Sequence, residues 1–117
     1  MSMQNFNDNI ILKKCVEFSL AAIEYVELLE LNKKFVIANQ LLKSATSIGS
    51  DIYEAQNAES KIDFLHKIKI AAKEKEETKY WLLLCSKAKS YPDCESLVQQ
   101  LTEIEKILSK IISTVKK

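Results

Sequence analysis

The chain has 117 residues, 47% hydrophobic and 28% charged, with a net charge of +1 and no arginine among its cations. That length sets a single domain, residues 1–117, and a composition this apolar excludes a disordered chain. One Gly and one Pro leave too little turn material for a fold of many hairpins, and near-neutral charge without the guanidinium fork does not of itself point to nucleic acid.

Apolar residues recurring at alternating spacings of three and four mark four helices in chain order. The first, over 8–30, carries the seam Ile11, Cys15, Phe18, Ala22, Tyr25, Leu29, with Asn7 or Asp8 placed to cap it. Asn32, Lys33 and Lys34 break the pattern. The second, over 36–57, carries Ala38, Leu41, Ala45, Ile48, Ile52 and Ala55. Inside it stands Gly49, where glycine costs about 1 kcal/mol relative to alanine. Its missing side chain is expected to let another helix approach closely. No strand precedes it, so the surrounding Ser-Ile-Gly-Ser is not read as a phosphate loop.

The third helix, over 61–89, follows a break at 57–60, and Ser60 with Asp63 form the S-x-x-D variant of a capping box. Its seam is Phe64, Ile68, Ala71, Lys75, Thr78, Leu82, Cys85, so two polar residues stand where the other helices carry aliphatics. The fourth, over 93–115, opens near Pro92, a residue suited to a first helical turn, and carries Cys94, Leu97, Leu101, Ile104, Leu108, Ile111 and Val115. Short connections make neighbouring helices antiparallel. The fold expected is all-α, an up-down-up-down four-helix bundle.

No basic stretch followed by an apolar one opens the chain, and no apolar run nears the length that spans a bilayer. A cytoplasmic protein without a membrane partner is expected. Cys15, Cys85 and Cys94 are odd in number and lack C-x-x-C spacing, which suits buried thiols in a reducing compartment.

Ile70, Trp81 and Leu84 point away from the third seam. A small bundle has no second core to receive them, so they are expected at a subunit interface; the alternative is cover from neighbouring helices. Asp51 and Glu54 flank the second seam and, with Glu77, are expected to join a polar network between the second and third helices that fixes register.

Catalytic chemistry finds little material. Asp63 and His66 make one D-x-x-H, but His66 is the only histidine, and a di-iron bundle needs two such pairs. The cysteines lie on core seams with nothing electropositive beside them. No catalytic residue, metal site or cofactor is expected. Residues 60–90 are locally basic, with eight lysines against four acidic residues. Lys69, Lys73 and Lys87 share a flank with His66 and Tyr80. Such a strip could follow a phosphate backbone and stack a base; charge this modest more often marks a solvated face with i,i+4 pairs such as Lys73 with Glu77. A ring of copies would repeat the strip and sum its field.

Residues 40–84 carry a denser pattern. Gln40, Leu41, Ser44, Thr46, Ser47, Ile48, Gly49, Ile52, Glu54 and Ala55 match Q-L-x-R-S-G-T-S-I-G-A-N-I-x-E-A. Asp63, Phe64, Lys67, Ile70, Ala71, Lys73, Glu74, Glu77, Thr78, Tyr80, Trp81 and Leu82 match D-F-x-x-K-L-x-I-A-x-K-E-x-x-E-T-x-Y-W-L. The chain thereby resembles the four-helix bundle family of 23S rRNA intervening-sequence proteins. That resemblance implies homopentameric rings and no enzymatic activity. It also implies kinship with accessory proteins of diversity-generating retroelements, pentamers that bind nucleic acid and a reverse transcriptase. Two departures matter. Lys43 stands where the family has arginine, and Ser50-Asp51 where it has Ala-Asn. Both weaken an RNA contact on this helix and leave the fold intact.

The function expected is a homo-oligomeric, pentameric bundle that binds structured RNA or an RNA–protein assembly through Lys67, Lys69, Lys73 and Lys87. The alternative is an adaptor ring that contacts only protein.

Overall fold

The computed structural model describes residues 9–116, and these form four helices in the order α1 Ile10–Leu31, α2 Phe35–Ala55, α3 Lys61–Lys87 and α4 Glu95–Lys116. Each helix packs on its chain neighbours and α1 closes the square on α4; among the described residues the diagonal pairs make no close backbone approach and meet only through core side chains. The all-α, antiparallel four-helix bundle is therefore the observed fold, about 45 Å long and 20–26 Å across.

The core follows the seams. Every seam residue of α1 and α2 is buried, as are the α3 seam from Ile68 to Cys85 and the α4 seam from Cys94 to Leu108. Phe64, Ile111 and Ile107 are only partly buried against this core, where the bundle opens at one end. Leu12 and Val26, outside the narrow 3.5-residue seam, are buried too, because a globular bundle buries a wider helix face than a coiled coil. All three cysteines are free and buried.

Helix ends differ from expectation where local hydrogen bonds intervene. Asn9 caps α1, its side chain accepting from the Leu12 amide at 3.2 Å; Asn7 and Asp8 lie outside the described residues. Ser60 caps α3 by accepting from the Asp63 amide at 3.0 Å, but Asp63 reaches one residue beyond the cap, to the Glu59 amide at 3.1 Å. Pro92 does not enter α4. The Tyr25 hydroxyl donates to its carbonyl at 2.7 Å, tying the 88–94 connection to α1 so that the helix begins at Glu95.

The single glycine is placed for packing and not for a turn. After α1 the chain reverses through Lys33, at φ 62°, with Lys34 N–H donating to Leu29 C=O and Lys33 N–H to Glu30 C=O, both at 2.9 Å. This is the paired closure that most helices complete with glycine. Gly49 lies mid-helix instead. A Cβ there would meet Ser19 Oγ at 3.3 Å and Cys15 Cβ at 3.4 Å, so α1 and α2 approach closely at this level. The Ser19 hydroxyl can turn aside for a methyl group, and alanine regains helix propensity. Gly49→Ala should therefore leave stability within about 1 kcal/mol of the parent, whereas Gly49→Leu should lose about 3 kcal/mol by overpacking. Chemical denaturation of the two variants checks the difference.

Candidate functional site

Two polar seams connect the helices, and neither sits where paired catalytic carboxylates would. Between α2 and α3 the buried hydroxyls of Ser44 and Thr78 share a 2.9 Å hydrogen bond. Between α3 and α4 the Lys75 ammonium, its side chain only 10% exposed, donates to Glu105 at 2.9 Å and to Glu76 at 2.6 Å, and Lys79 reaches the same Glu105 oxygen at 3.0 Å. Burial works against the charge on Lys75, but the hydrogen bonds to Glu105 and Glu76 outweigh it and hold the ammonium above its ordinary value. Hydrogen bonds from Lys75 and Lys79 pull the Glu105 carboxyl below its ordinary range.

The residues expected in an α2–α3 network are differently disposed. Asp51 is half-buried, with Oδ2 enclosed and without a hydrogen-bond partner among the described residues. Burial raises its carboxyl, and the like charges of Glu74 and Glu54 add to that, against some relief from Lys67. Glu54 is exposed and accepts from Ser50, one turn back on its own helix, at 3.3 Å. Glu77 is exposed. The cross-helix hydrogen bond that joins α2 to α3 thus belongs to Ser44 and Thr78.

Nothing in the core favours a thiol nucleophile. Burial pushes Cys15 up to about 12 and Cys94 up to about 11, and raises Cys85 as well, so all three stay protonated at neutral pH. Among the described residues no group of three or more His, Cys, Asp or Glu could hold a metal ion, and no helix is long and apolar enough to cross a membrane.

The outward face of α3 carries the basic strip. Lys69, Lys73 and Lys87 are exposed together with His66 and Tyr80, and among the described residues none of these three lysines is in an ion pair. Lys73 does not pair with Glu77. Lys67 is on another side of the helix, half-buried, 3.8 Å from Asp63 and close enough to influence Asp51. Its charge is already engaged, and it does not join the strip.

The apolar residues off the α3 seam divide in two. Trp81 packs against the core and its indole N–H is enclosed without an acceptor among the described residues. Ile70 is 37% exposed and Leu84 is half-buried. Apolar exposure equal to or above that of Ile70 occurs elsewhere too: at Val16, Leu20 and Ile23 on the back of α1, and at Tyr80 and Leu83 beside a groove of about 440 Å³ between α3 and α4.

Comparison with known proteins follows the same lines. The family model described as 23S rRNA-intervening sequence protein matches residues 7–110. A solved structure of a protein with unknown function from the S23 ribosomal protein family, from Bacteroides thetaiotaomicron VPI-5482, is 39% identical. The alignment covers 87% of this chain and 97% of that one, with a TM-score of 0.82. No curated protein matches the chain.

Proposed function

The chain belongs to the 23S rRNA-intervening sequence protein family, and on that footing we propose that it is a non-catalytic, homo-oligomeric bundle that binds structured RNA or an RNA–protein assembly. The oligomer is a pentameric ring, the state the family resemblance implies. Contact is electrostatic, through Lys69, Lys73 and Lys87, with Tyr80 available to stack on a base.

The observation that carries this reading is that Lys69, Lys73 and Lys87 share one exposed face of α3 and none is in an ion pair among the described residues, whereas Lys67, Lys75 and Lys79 of the same helix are matched to carboxylates. An ammonium without a local partner keeps its full field for an external anion. Repetition around a ring multiplies a strip that is modest in one protomer. The α2 helix contributes little to such a contact, since Lys43 stands where the resembled pattern has arginine and Asp51 where it has asparagine.

The competing reading is an adaptor ring that touches only protein, and the exposed apolar residues of α1 favour it. Affinity capture with and without nuclease separates the two. RNA should be recovered with the untreated protein, and any protein partners bridged by that RNA should disappear after nuclease. Partners that persist unchanged, with no RNA in the untreated sample, would replace the RNA reading with the adaptor.

A further inference from the structure

We infer that Cys85 and Cys94 close into a reversible disulfide when a small-molecule disulfide such as oxidised glutathione reaches them, stapling the end of α3 to the start of α4. The inference is independent of the RNA reading and concerns thiols that reading leaves unused.

The two seams assemble the pair. Cys85 holds the last seam position of α3 and Cys94 the first of the fourth seam, with residues 86–93 between them, so the antiparallel reversal brings both thiols to one level of the core. Both are free and buried. The Cys94 thiol donates to the Leu82 carbonyl at 3.6 Å, one turn of α3 from Cys85. Cys85 in turn meets the Tyr25 hydroxyl, which donates at 2.7 Å to the carbonyl of Pro92, two residues before Cys94. The thiols are close enough for a charge on Cys85 to act on Cys94. Cys15 faces Gly49 of α2 and takes no part.

Access comes through the connection. In the closed bundle burial keeps both thiols protonated and out of reach. The non-helical stretch 88–94 is held by light ties. The Tyr25 hydroxyl holds Pro92, the Tyr91 N–H donates to the Ala88 carbonyl at 3.2 Å, and the Lys34 ammonium lies 5.4 Å from the centre of the Tyr91 ring. Such a segment opens without unfolding the whole bundle. Opening carries Cys94 outward, while Cys85 stays within α3. Cys94 then loses its proton, and its thiolate attacks one sulfur of the oxidant. A mixed disulfide forms and one glutathione thiolate leaves. The Cys85 thiolate attacks the Cys94 sulfur and expels the glutathione still bound there. Two protons leave the cysteines and two are taken up by the departing thiolates. Excess reduced thiol reverses both steps, so in a reducing compartment the pair rests open. The carboxylates of Asp93 and Glu95 beside Cys94 disfavour its thiolate, so closure is slow and answers sustained oxidation.

Oxidation of the parent protein by oxidised glutathione in native buffer tests the staple, with alkylation and peptide mass mapping as the readout. The product should be lighter by two hydrogens and carry a Cys85–Cys94 link. Cys15 should remain free to alkylation once the chain is unfolded, and dithiothreitol should restore both thiols. Its Tm should rise by about 5–10 °C, because the link closes a loop of about ten residues in the unfolded chain. Tyr25→Phe removes the hydroxyl that ties down Pro92 and should close several-fold faster. If that variant loses its helical circular dichroism, Lys34→Gln, which removes the cation over Tyr91, takes its place. Free Cys85 and Cys94 after prolonged oxidation would overturn the pairing. So would a glutathione adduct at Cys94 that never resolves, or links made equally through Cys15. A linked protein that melts below the reduced one would overturn the staple. A variant rate equal to the parent rate would overturn opening through the connection.

Discussion

Reversing Lys69, Lys73 and Lys87 together to glutamate should weaken binding to a structured RNA at least ~100-fold at 0.1 M salt, without changing stability by more than about 0.5 kcal/mol. Each phosphate contact contributes a slope of roughly 0.7–0.9 to the dependence of log affinity on log salt. Loss of three contacts should therefore flatten that slope by about 2 to 3 for each protomer engaged. The insensitivity of stability follows from the structure: all three lysines are exposed and none is in an ion pair among the described residues. Lys67→Gln is the comparison. That lysine already faces Asp63 and the Asp51 region, so its loss should alter RNA affinity only a few-fold. Equal effects from Lys67 and from the strip would place the RNA elsewhere on the surface.

The second large effect is on stability and sits at the α3–α4 seam. Glu105→Lys should cost about 3–4 kcal/mol, a fall in Tm of about 15 °C by thermal melt. The variant places a third cation beside Lys75 and Lys79, and Lys75 is too enclosed to escape it. Lys75→Met, in contrast, should be neutral or slightly stabilising, because a buried ion pair replaced by a well-packed apolar side chain loses its desolvation cost along with its attraction. The pH dependence has a defined sign. Glu105 is held below its ordinary value, so its contribution is present above the usual carboxylate range and fades as pH falls through the lowered value. Lys75 is held above its ordinary value, so its contribution is complete below the usual ammonium range and fades as pH rises through the raised one. Glu105→Gln should remove the acid-side part of this dependence in denaturation curves taken from pH 3 to pH 6.

Much of the fold can be read from the chain because burial follows period. The positions of Phe18, Ile48, Ile68 and Leu108 on their seams are enough to bury them. Lys75 and Thr78 also occupy buried seam positions as their spacing requires. Their partners are not legible, because period fixes which face a residue occupies and not how far one helix slides along the next. Glu105 is thirty residues from Lys75, and Ser44 is thirty-four from Thr78. The same axial uncertainty separates Asp51 from its true neighbours, which are Glu74 and Lys67, with Glu77 one turn away and exposed. Trp81 shows the limit of a helical wheel. Its ring is wide enough to reach back to the core from a flanking position. The α1 stripe was present in the sequence at Val16, Leu20 and Ile23, but a helix apolar on more than one side reads as a stronger core helix unless the opposite face is sought.

The strip on α3 is likewise legible as positions, since Lys69, Lys73 and Lys87 recur on one side of the helix. Their freedom is not, because only the placed carboxylates show that Lys73 has no partner in Glu77 while Lys67 has one in Asp63. Asp51 stands where the resembled pattern has asparagine, and its enclosed Oδ2, without a hydrogen-bond partner among the described residues, lies near Glu74 and Lys67 of α3.

Filter binding of the purified parent protein to a structured RNA, titrated from 50 to 200 mM salt, tests the central claim most directly. Three phosphate contacts predict measurable retention at 50 mM and a fall in affinity of about 20- to 40-fold across that range, larger if several protomers engage one RNA. No retention at 50 mM, or retention that salt leaves unchanged, would contradict it.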